Sequence, residues 1–260
     1  MNNLPTTTAQ TGIAQGTRVP VKPGALLSIR YLDEVNLSPD GKRVAFVVWE
    51  KIPDKPRRRG SIWVVETTGG EPRLLSQAKR GDSCPRWSPD SKQLAFVSKG
   101  EGETDEPQLH LVSADGGEAR QVCTLPNGVS NLAWSPDGTR IAFLSLEGKE
   151  PETDPLVVMP GRHRRLWTVR PNHDIPEPVT PDDVTIWEYS WSPDSKQLAL
   201  YYSTGPDDTD WYRGQIGIVA ASGGAVRQVS HLTRQANSLT WSPDSTRIAY
   251  ISGEWSDPGR

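Results

Sequence analysis

Cysteine is nearly absent: Cys84 and Cys123 are the only two in the chain. They lie far apart, so they exclude a disulfide scaffold and a thiolate metal site, and they fit free thiols in a reduced compartment. Long apolar runs are also missing. The longest, such as Val44–Trp49, have the length of a strand, far short of the roughly 18–20 residues that cross a bilayer. No charge of one sign dominates. The 29 Lys and Arg against 32 Asp and Glu leave a net charge of −3, which excludes a general pull toward nucleic acid or anionic membranes. Histidine is scarce and scattered, at His110, His163, His173 and His231, without ligand spacing. His110 falls in a predicted strand and reads as structural.

Catalytic signatures are missing too. Gly81-Asp82-Ser83 runs into Cys84-Pro85, and Gly128-Val129-Ser130 into Asn131-Leu132, so neither completes the Gly-x-Ser-x-Gly elbow of a serine nucleophile. His-Glu-x-x-His does not occur. Gly100-x-Gly102 has Asp105 where a dinucleotide loop requires Gly. Asp207-Asp208-x-Asp210 lacks the Gly and terminal Glu of a helix-loop-helix calcium site, and reads as a loop. The sequence therefore offers no catalytic residue, no cofactor-binding residue and no metal ligand.

What the chain does have is a phrase repeated five times. Ser-Pro-Asp followed by a short apolar strand occurs at Ser38-Pro39-Asp40, Ser88-Pro89-Asp90, Ser135-Pro136-Asp137, Ser192-Pro193-Asp194 and Ser242-Pro243-Asp244. Self-similarity at about 50 residues marks a repeat architecture. The phrase is a turn: Pro presets φ and Asp bonds its downstream backbone. Gly41 and Gly138 follow the Asp in two copies and Ser91, Ser195 and Ser245 in three, so the turn is not one that only Gly can satisfy. After it comes a β-prone run, as in Val44–Val48, Leu94–Val97, Ile141–Leu144, Leu198–Tyr201 and Ile248–Ile251. Third strands are predicted at Ser61–Val65, Gln108–Val112, Arg165–Val169 and Gln215–Val219, and fourth strands at Pro72–Leu75, Ala119–Val122, Glu177–Thr180 and Ala225–Val229.

Four antiparallel strands in about 50 residues make one blade of a β-propeller. The fold class is thus all-β, with four complete blades at about 31–77, 82–124, 128–181 and 184–231 and the start of a fifth at 237–260. Residues 1–24 are polar and read as a disordered tail, and 25–260 as a partial propeller. Without a basic start and an apolar core the tail is no secretory signal, which makes the cytoplasm the expected compartment. Trp87, Trp134, Trp191 and Trp241 share one position just before the turn, with Leu37 replacing Trp in the first copy. They are expected to pack between blades. The turn acids Asp40, Asp90, Asp137, Asp194 and Asp244 complete the structural repeat.

Loops between second and third strands carry the irregularity and are expected to share one rim. Lys51–Gly60 holds Arg57-Arg58-Arg59, Gly100–Pro107 is acidic, Glu147–Arg165 ends in Arg162-His163-Arg164-Arg165, and Thr204–Arg213 holds three Asp. Function tends to live in loops on a rigid scaffold. Arg57, Arg58, Arg59, Arg162, Arg164 and Arg165 are the candidates for meeting a partner.

The repeated Trp-Ser-Pro-Asp-Gly/Ser-x-x-Ile/Leu-Ala-Phe resembles the WD40-like PD repeat of TolB-like proteins and of the N-terminal propellers of prolyl oligopeptidase family serine peptidases. The opening Tyr31–Phe46 and the ending Ile251–Asp257 resemble the acylaminoacyl-peptidase-like branch. That resemblance implies a propeller that gates peptide substrates for an α/β-hydrolase domain, with the Ser, His and Asp of catalysis beyond Arg260. None of the catalytic motif matches a position here. The chain reads as a partial propeller whose open edges favour self-association into a homo-oligomer. A stand-alone TolB-like scaffold that binds a protein is the alternative. Sialidase-type propellers carry Ser-x-Asp-x-Gly, but here Gly138 follows Asp137 directly, so the spacing is wrong.

Overall fold

The computed structural model describes residues 29–52, 57–99, 106–148, 161–173 and 175–253. The expected N-terminal tail and most of the loops at Gly100–Pro107 and Glu147–Arg165 lie outside these.

The repeats fold into antiparallel meanders. The first sheet comprises β1 (Tyr31–Leu37), β2 (Arg43–Lys51), β3 (Arg58–Glu66) and β4 (Arg73–Ser76), and the second β5 (Asp82–Trp87), β6 (Gln93–Lys99), β7 (Pro107–Ser113) and β8 (Arg120–Gln121). The third comprises β9 (Ser130–Trp134), β10 (Ile141–Leu146), β11 (Arg164–Val169) and β12 (Glu177–Pro178). The fourth comprises β13 (Thr185–Trp191), β14 (Gln197–Ser203), β15 (Gln215–Ala220) and β16 (Arg227–Ser230). A two-stranded sheet of β17 (Gln235–Trp241) and β18 (Ile248–Gly253) follows. The fold is an all-β propeller array.

Stacking explains the apolar runs. In the sandwiched sheets the second strand is buried on both faces, so Ile141, Ala142, Phe143 and Leu144 are all inaccessible, as are Leu198, Ala199, Leu200 and Tyr201. In β2, at the open face of the first sheet, only alternate residues such as Ala45 and Val47 are fully buried. Four apolar cores form, one between each pair of neighbouring sheets, centred on Phe96, Phe143, Leu200 and Tyr201.

Two fourth strands are shorter than the sequence predicts. β8 and β12 have two residues each. One further ladder bond follows each, from Val122 N to Leu109 O at 2.8 Å and from Val179 N to Leu166 O at 2.9 Å. Pro178 has no N–H to extend the pairing. The stretch Thr204–Arg213, read as a loop, contains a 3-10 turn over Asp208–Arg213.

Candidate functional site

Each Ser-Pro-Asp turn is a small closed network. Ser38 Oγ donates to Asp40 Oδ1 at 2.6 Å and accepts the Arg43 N–H at 2.9 Å. Asp40 Oδ1 also accepts the Lys42 N–H at 3.1 Å. The pattern recurs around Asp90, Asp137, Asp194 and Asp244. Hydroxyl and amide bonds hold four of these carboxyls below their ordinary range, and Asp244, with bonds from Ser242 and Thr246, is lowered to about 2. At Asp137 partial burial pushes upward, but the bonds from Ser135 and Thr139 prevail. The residue after the acid always has positive φ: 71° at Gly41, 72° at Gly138, 61° at Ser91 and Ser195, and 59° at Ser245. Serine bears that backbone strain and makes a bond Gly cannot. Ser91 Oγ accepts the Asp40 N–H of the preceding blade, Ser195 that of Asp137, and Ser245 that of Asp194.

The tryptophans stitch neighbouring sheets at the same level. Trp87 and Trp191 are buried, and Trp134 and Trp241 half-buried, each against the core shared with the preceding blade. Their indole N–H groups donate to Asn36 O, Arg86 O, Ala133 O and Ser190 O at 3.1, 3.0, 3.3 and 3.0 Å. The acceptor is always the residue just before the equivalent Trp or Leu of the preceding blade.

The arginines expected on a loop rim are mostly strand residues. Arg58 and Arg59 belong to β3, because the first hairpin runs on to pair Glu50 with Arg59 and Lys51 with Arg58. The Glu50–Arg59 contact, 2.6 Å, supports that extension. Arg164 and Arg165 belong to β11, opposite Leu146 and Ser145. Several are engaged within the chain. Arg164 lies over Trp187 and Arg165 over Trp167. Arg162 donates to Asn127 Oδ1 at 2.9 Å. Arg57 is exposed at the start of the β3 hairpin arm. The structure brings Arg57 and Arg58 into one cavity, and places Arg162, Arg164 and Arg165 on the third blade, away from it.

That cavity, about 530 Å³, opens at the end of the blades opposite the Ser-Pro-Asp turns. Among the described residues it is formed where Trp49, Arg57 and Arg58 at the facing ends of β2 and β3, and Lys99 and Pro107 at those of β6 and β7, meet the residues that lead into β5 and β9. Two chain features make the meeting possible. Gly81 has φ of 110°, and a Cβ there would sit 2.9 Å from Gly60 N, so the chain leading into β5 passes directly against β3. The inner strands also bulge: Glu34, Cys84, Asn131 and Ser238 have φ between 51° and 56° and each lies three residues before Leu37, Trp87, Trp134 or Trp241. Bulges re-aim side chains. Here three of them bring Glu34, Cys84 and Asn131 to the cavity wall.

Among the described residues, Arg57, Arg58, Arg80, Arg86, Lys99 and Glu34 are the charged groups that line it. Arg58 gives one N–H to Ile29 O at 2.8 Å and lies over Tyr31. Arg86 donates to Pro85 O at 2.8 Å and stands 3.9 Å from Glu34. Burial pushes the Glu34 carboxyl up, with the Arg86 guanidinium opposing. Burial likewise pushes the Cys84 thiol up, so it stays protonated at neutral pH and is a poor nucleophile. None of the four histidines lines the cavity: His110 packs near Phe96, His163 bonds Thr185 Oγ1 at 3.0 Å, His231 bonds Gln228, and His173 is exposed beside Arg170 on the side of the Ser-Pro-Asp turns. Among the described residues no three metal-ligating side chains cluster. The described part of this wall can bind and orient, and none of its described residues is an activated nucleophile. Arg80, Arg86, Lys99 and Glu34 gave no signal in the sequence, because they belong to no motif and meet only once blades stack.

Comparison with known proteins places the array. The family profile described as TolB beta propeller domain (PD40) matches residues 34–187. Over 76 residues, 29% of this chain and 11% of the relative, the chain is 37% identical to the uncharacterized peptidase YuxL of Bacillus subtilis (strain 168). TolB from Acinetobacter baumannii superposes with a TM-score of 0.57 at 16% identity, over 84% of this chain and 48% of that one. The Pyrococcus horikoshii acylaminoacyl peptidase superposes with a TM-score of 0.57 at 15% identity, over 80% of this chain and 33% of that one. The chain thus spans about half of the TolB structure and a third of the peptidase.

Proposed function

Because the chain belongs to the TolB beta propeller domain family, we propose that it is the propeller portion of a serine peptidase, admitting oligopeptides or acyl-peptides to an α/β-hydrolase domain that follows it. The 37% identity to YuxL, a peptidase of which this stretch is only a small part, carries this reading. The propeller supplies a rigid rim and an inner wall, while the nucleophile, base and orienting acid reside in the partner domain. In this reading the chain alone is catalytically inert, in keeping with a Cys84 thiol that burial keeps protonated. In this reading the protein works in the cytoplasm.

The test is hydrolysis of acyl-amino-acid and short-peptide chromogenic substrates. Residues 1–260 alone are expected to show none, and the full gene product activity that serine-directed inhibitors abolish. An inert full product would remove the peptidase reading. A TolB-like scaffold that binds another protein would then take its place, a reading favoured by the apolar edge of β1, where Leu32, Val35 and Leu37 are each at least 60% exposed.

A further inference from the structure

We propose that the seam between the second and third blades, on the side of the Ser-Pro-Asp turns, holds a seat for the guanidinium of an arginine in a peptide. Only the word peptide rests on the peptidase reading; the guanidinium rests on the differences between the four seams. The fifth residue after each turn Ser is fixed in place, because its N–H bonds that Ser Oγ. It is Arg43, Gln93, Arg140 and Gln197 in the first four blades. Where it is Arg, the Trp of the next blade is buried: Trp87 is 7% exposed and Trp191 8%. Where it is Gln, the next Trp, Trp134 or Trp241, is only half-buried. At the first seam the cause is visible. The Arg43 guanidinium lies over the Trp87 ring, 5.3 Å from its centroid, and is held by Ser91 O at 2.8 Å and Asp115 Oδ1 at 3.0 Å. Arg140 likewise reaches into the fourth blade, to Ala221 O at 2.9 Å.

At the second seam no guanidinium covers the indole. Gln93 and Trp134 instead line a cavity of about 610 Å³, within the range of about 300–1,000 Å³ usual for organic ligands. Gly138 opens the same seam further. Ser91, Ser195 and Ser245 each bond the Asp N–H of the preceding blade, whereas Gly138 has no hydroxyl to close on Asp90. The fourth seam also has Gln, but Ser245 keeps its bond to Asp194 there. Of the four seams only the second lacks both the Arg and the Ser.

An indole face attracts a cation set above it, and a planar guanidinium stacks there where an ammonium cannot. Asp90 and Asp137 also line the cavity. Each commits Oδ1 to its own turn. Oδ2 lies outside those bonds and can accept the guanidinium N–H groups, as Asp115 does from Arg43. Gln93 and Asn172 offer amides to a peptide backbone, and Arg170 and His173 are the other titratable groups of the described lining. The preference follows from the seat over the indole, not from a sum of these charges.

The test is calorimetric titration of the full gene product, treated beforehand with a fluorophosphonate so that no peptide is cleaved. The ligands are acetyl-Gly-Arg-Gly amide, its Gly-Gln-Gly and Gly-Lys-Gly counterparts, and maltotriose. The Arg peptide is expected to bind at least about tenfold more tightly than the Gln peptide and about threefold more tightly than the Lys peptide. Gln93→Arg supplies the guanidinium from within, as Arg43 does over Trp87. It is expected to weaken the Arg peptide at least about tenfold without lowering the melting temperature, and to do so equally at about 0.5 M salt, where repulsion between separated charges is screened. Gly138→Ser, which narrows the seam with a hydroxyl, is expected to weaken it at least about threefold. Equal binding of the Arg and Gln peptides, indifference to either substitution, or a Gln93→Arg loss that vanishes in salt overturns the proposal. A Lys peptide bound as tightly as the Arg peptide overturns the guanidinium assignment, and maltotriose bound in preference overturns the peptide. Because binding is read without turnover, a failed seat is distinguishable from a failed peptidase, which only hydrolysis tests.

Discussion

The indole Nε1 of Trp134 donates to the backbone carbonyl of Arg86 at 3.0 Å, across the boundary between the second and third blades. Arg86 sends its side chain to the cavity wall. The structural repeat and the candidate site therefore share a residue. Trp134 holds the backbone from which a cavity cation extends.

Truncating Trp134 should accordingly cost both packing and a bond. Trp134→Ala is expected to lose about 3 kcal/mol, the lower end for an aromatic because the ring is half-buried. Trp134→Phe keeps most of the packing and should lose about 1 kcal/mol, the worth of one hydrogen bond. Denaturant melts of both variants check this: a Trp134→Phe loss of zero would show that the N–H contributes nothing, and equal losses that the ring packing does not.

Glycine requirements differ between positions with similar backbone angles. Gly81→Ala should destabilise by about 2 kcal/mol or more, since φ is 110° and a Cβ would press on Gly60 N at 2.9 Å. Gly138→Ser should stay within about 0.5 kcal/mol of the parent. Its Cβ would meet Pro89 at an ordinary 3.7 Å. Serine already occupies the same turn position at Ser91, Ser195 and Ser245, and there bonds the Asp N–H of the preceding blade. Thermal melts of the two variants should separate clearly.

The turn carboxylates predict an acid limb. Their folded-state values are lowered, so their stabilisation is complete above the ordinary value of 3.8 and is lost as pH falls toward about 2, where Asp244 titrates. Glu34 acts in the opposite sense: its raised value favours the protonated form in the folded state, and that contribution disappears as pH rises. Melting temperature measured against pH should fall below pH 4, and Asp244→Asn should make that fall shallower. An unchanged limb would mean that Asp244 is not held by Ser242 and Thr246.

The fold was legible because the same words recur. Five Ser-Pro-Asp turns, each with an apolar strand after it, define the sheet-forming unit and its period. The Trp position was legible too, though not the carbonyl it meets, because that acceptor lies in another repeat. Arg165 was legible as the start of a third strand, but Arg58, Arg59 and Arg164 were read as loop because they lack the apolar alternation of a strand, and they join β3 and β11 by extending existing hairpins. Of the cavity's lining, only Arg57 and Arg58 stood out in the sequence. Glu34, Cys84, Asn131 and Ser238 occupy one bulge position with four different side chains, so no common residue marks it. Arg80, Arg86 and Lys99 meet Arg57 and Arg58 only through the stacking of sheets.

The central claim is that this propeller serves a serine peptidase whose catalytic groups lie outside residues 1–260. The most direct measurement is labelling of the full gene product with a fluorophosphonate, followed by peptide mapping. The account predicts a single labelled serine beyond Arg260 and parallel loss of peptide hydrolysis. A product that takes no label and cleaves no peptide, or one labelled within residues 1–260, would contradict it.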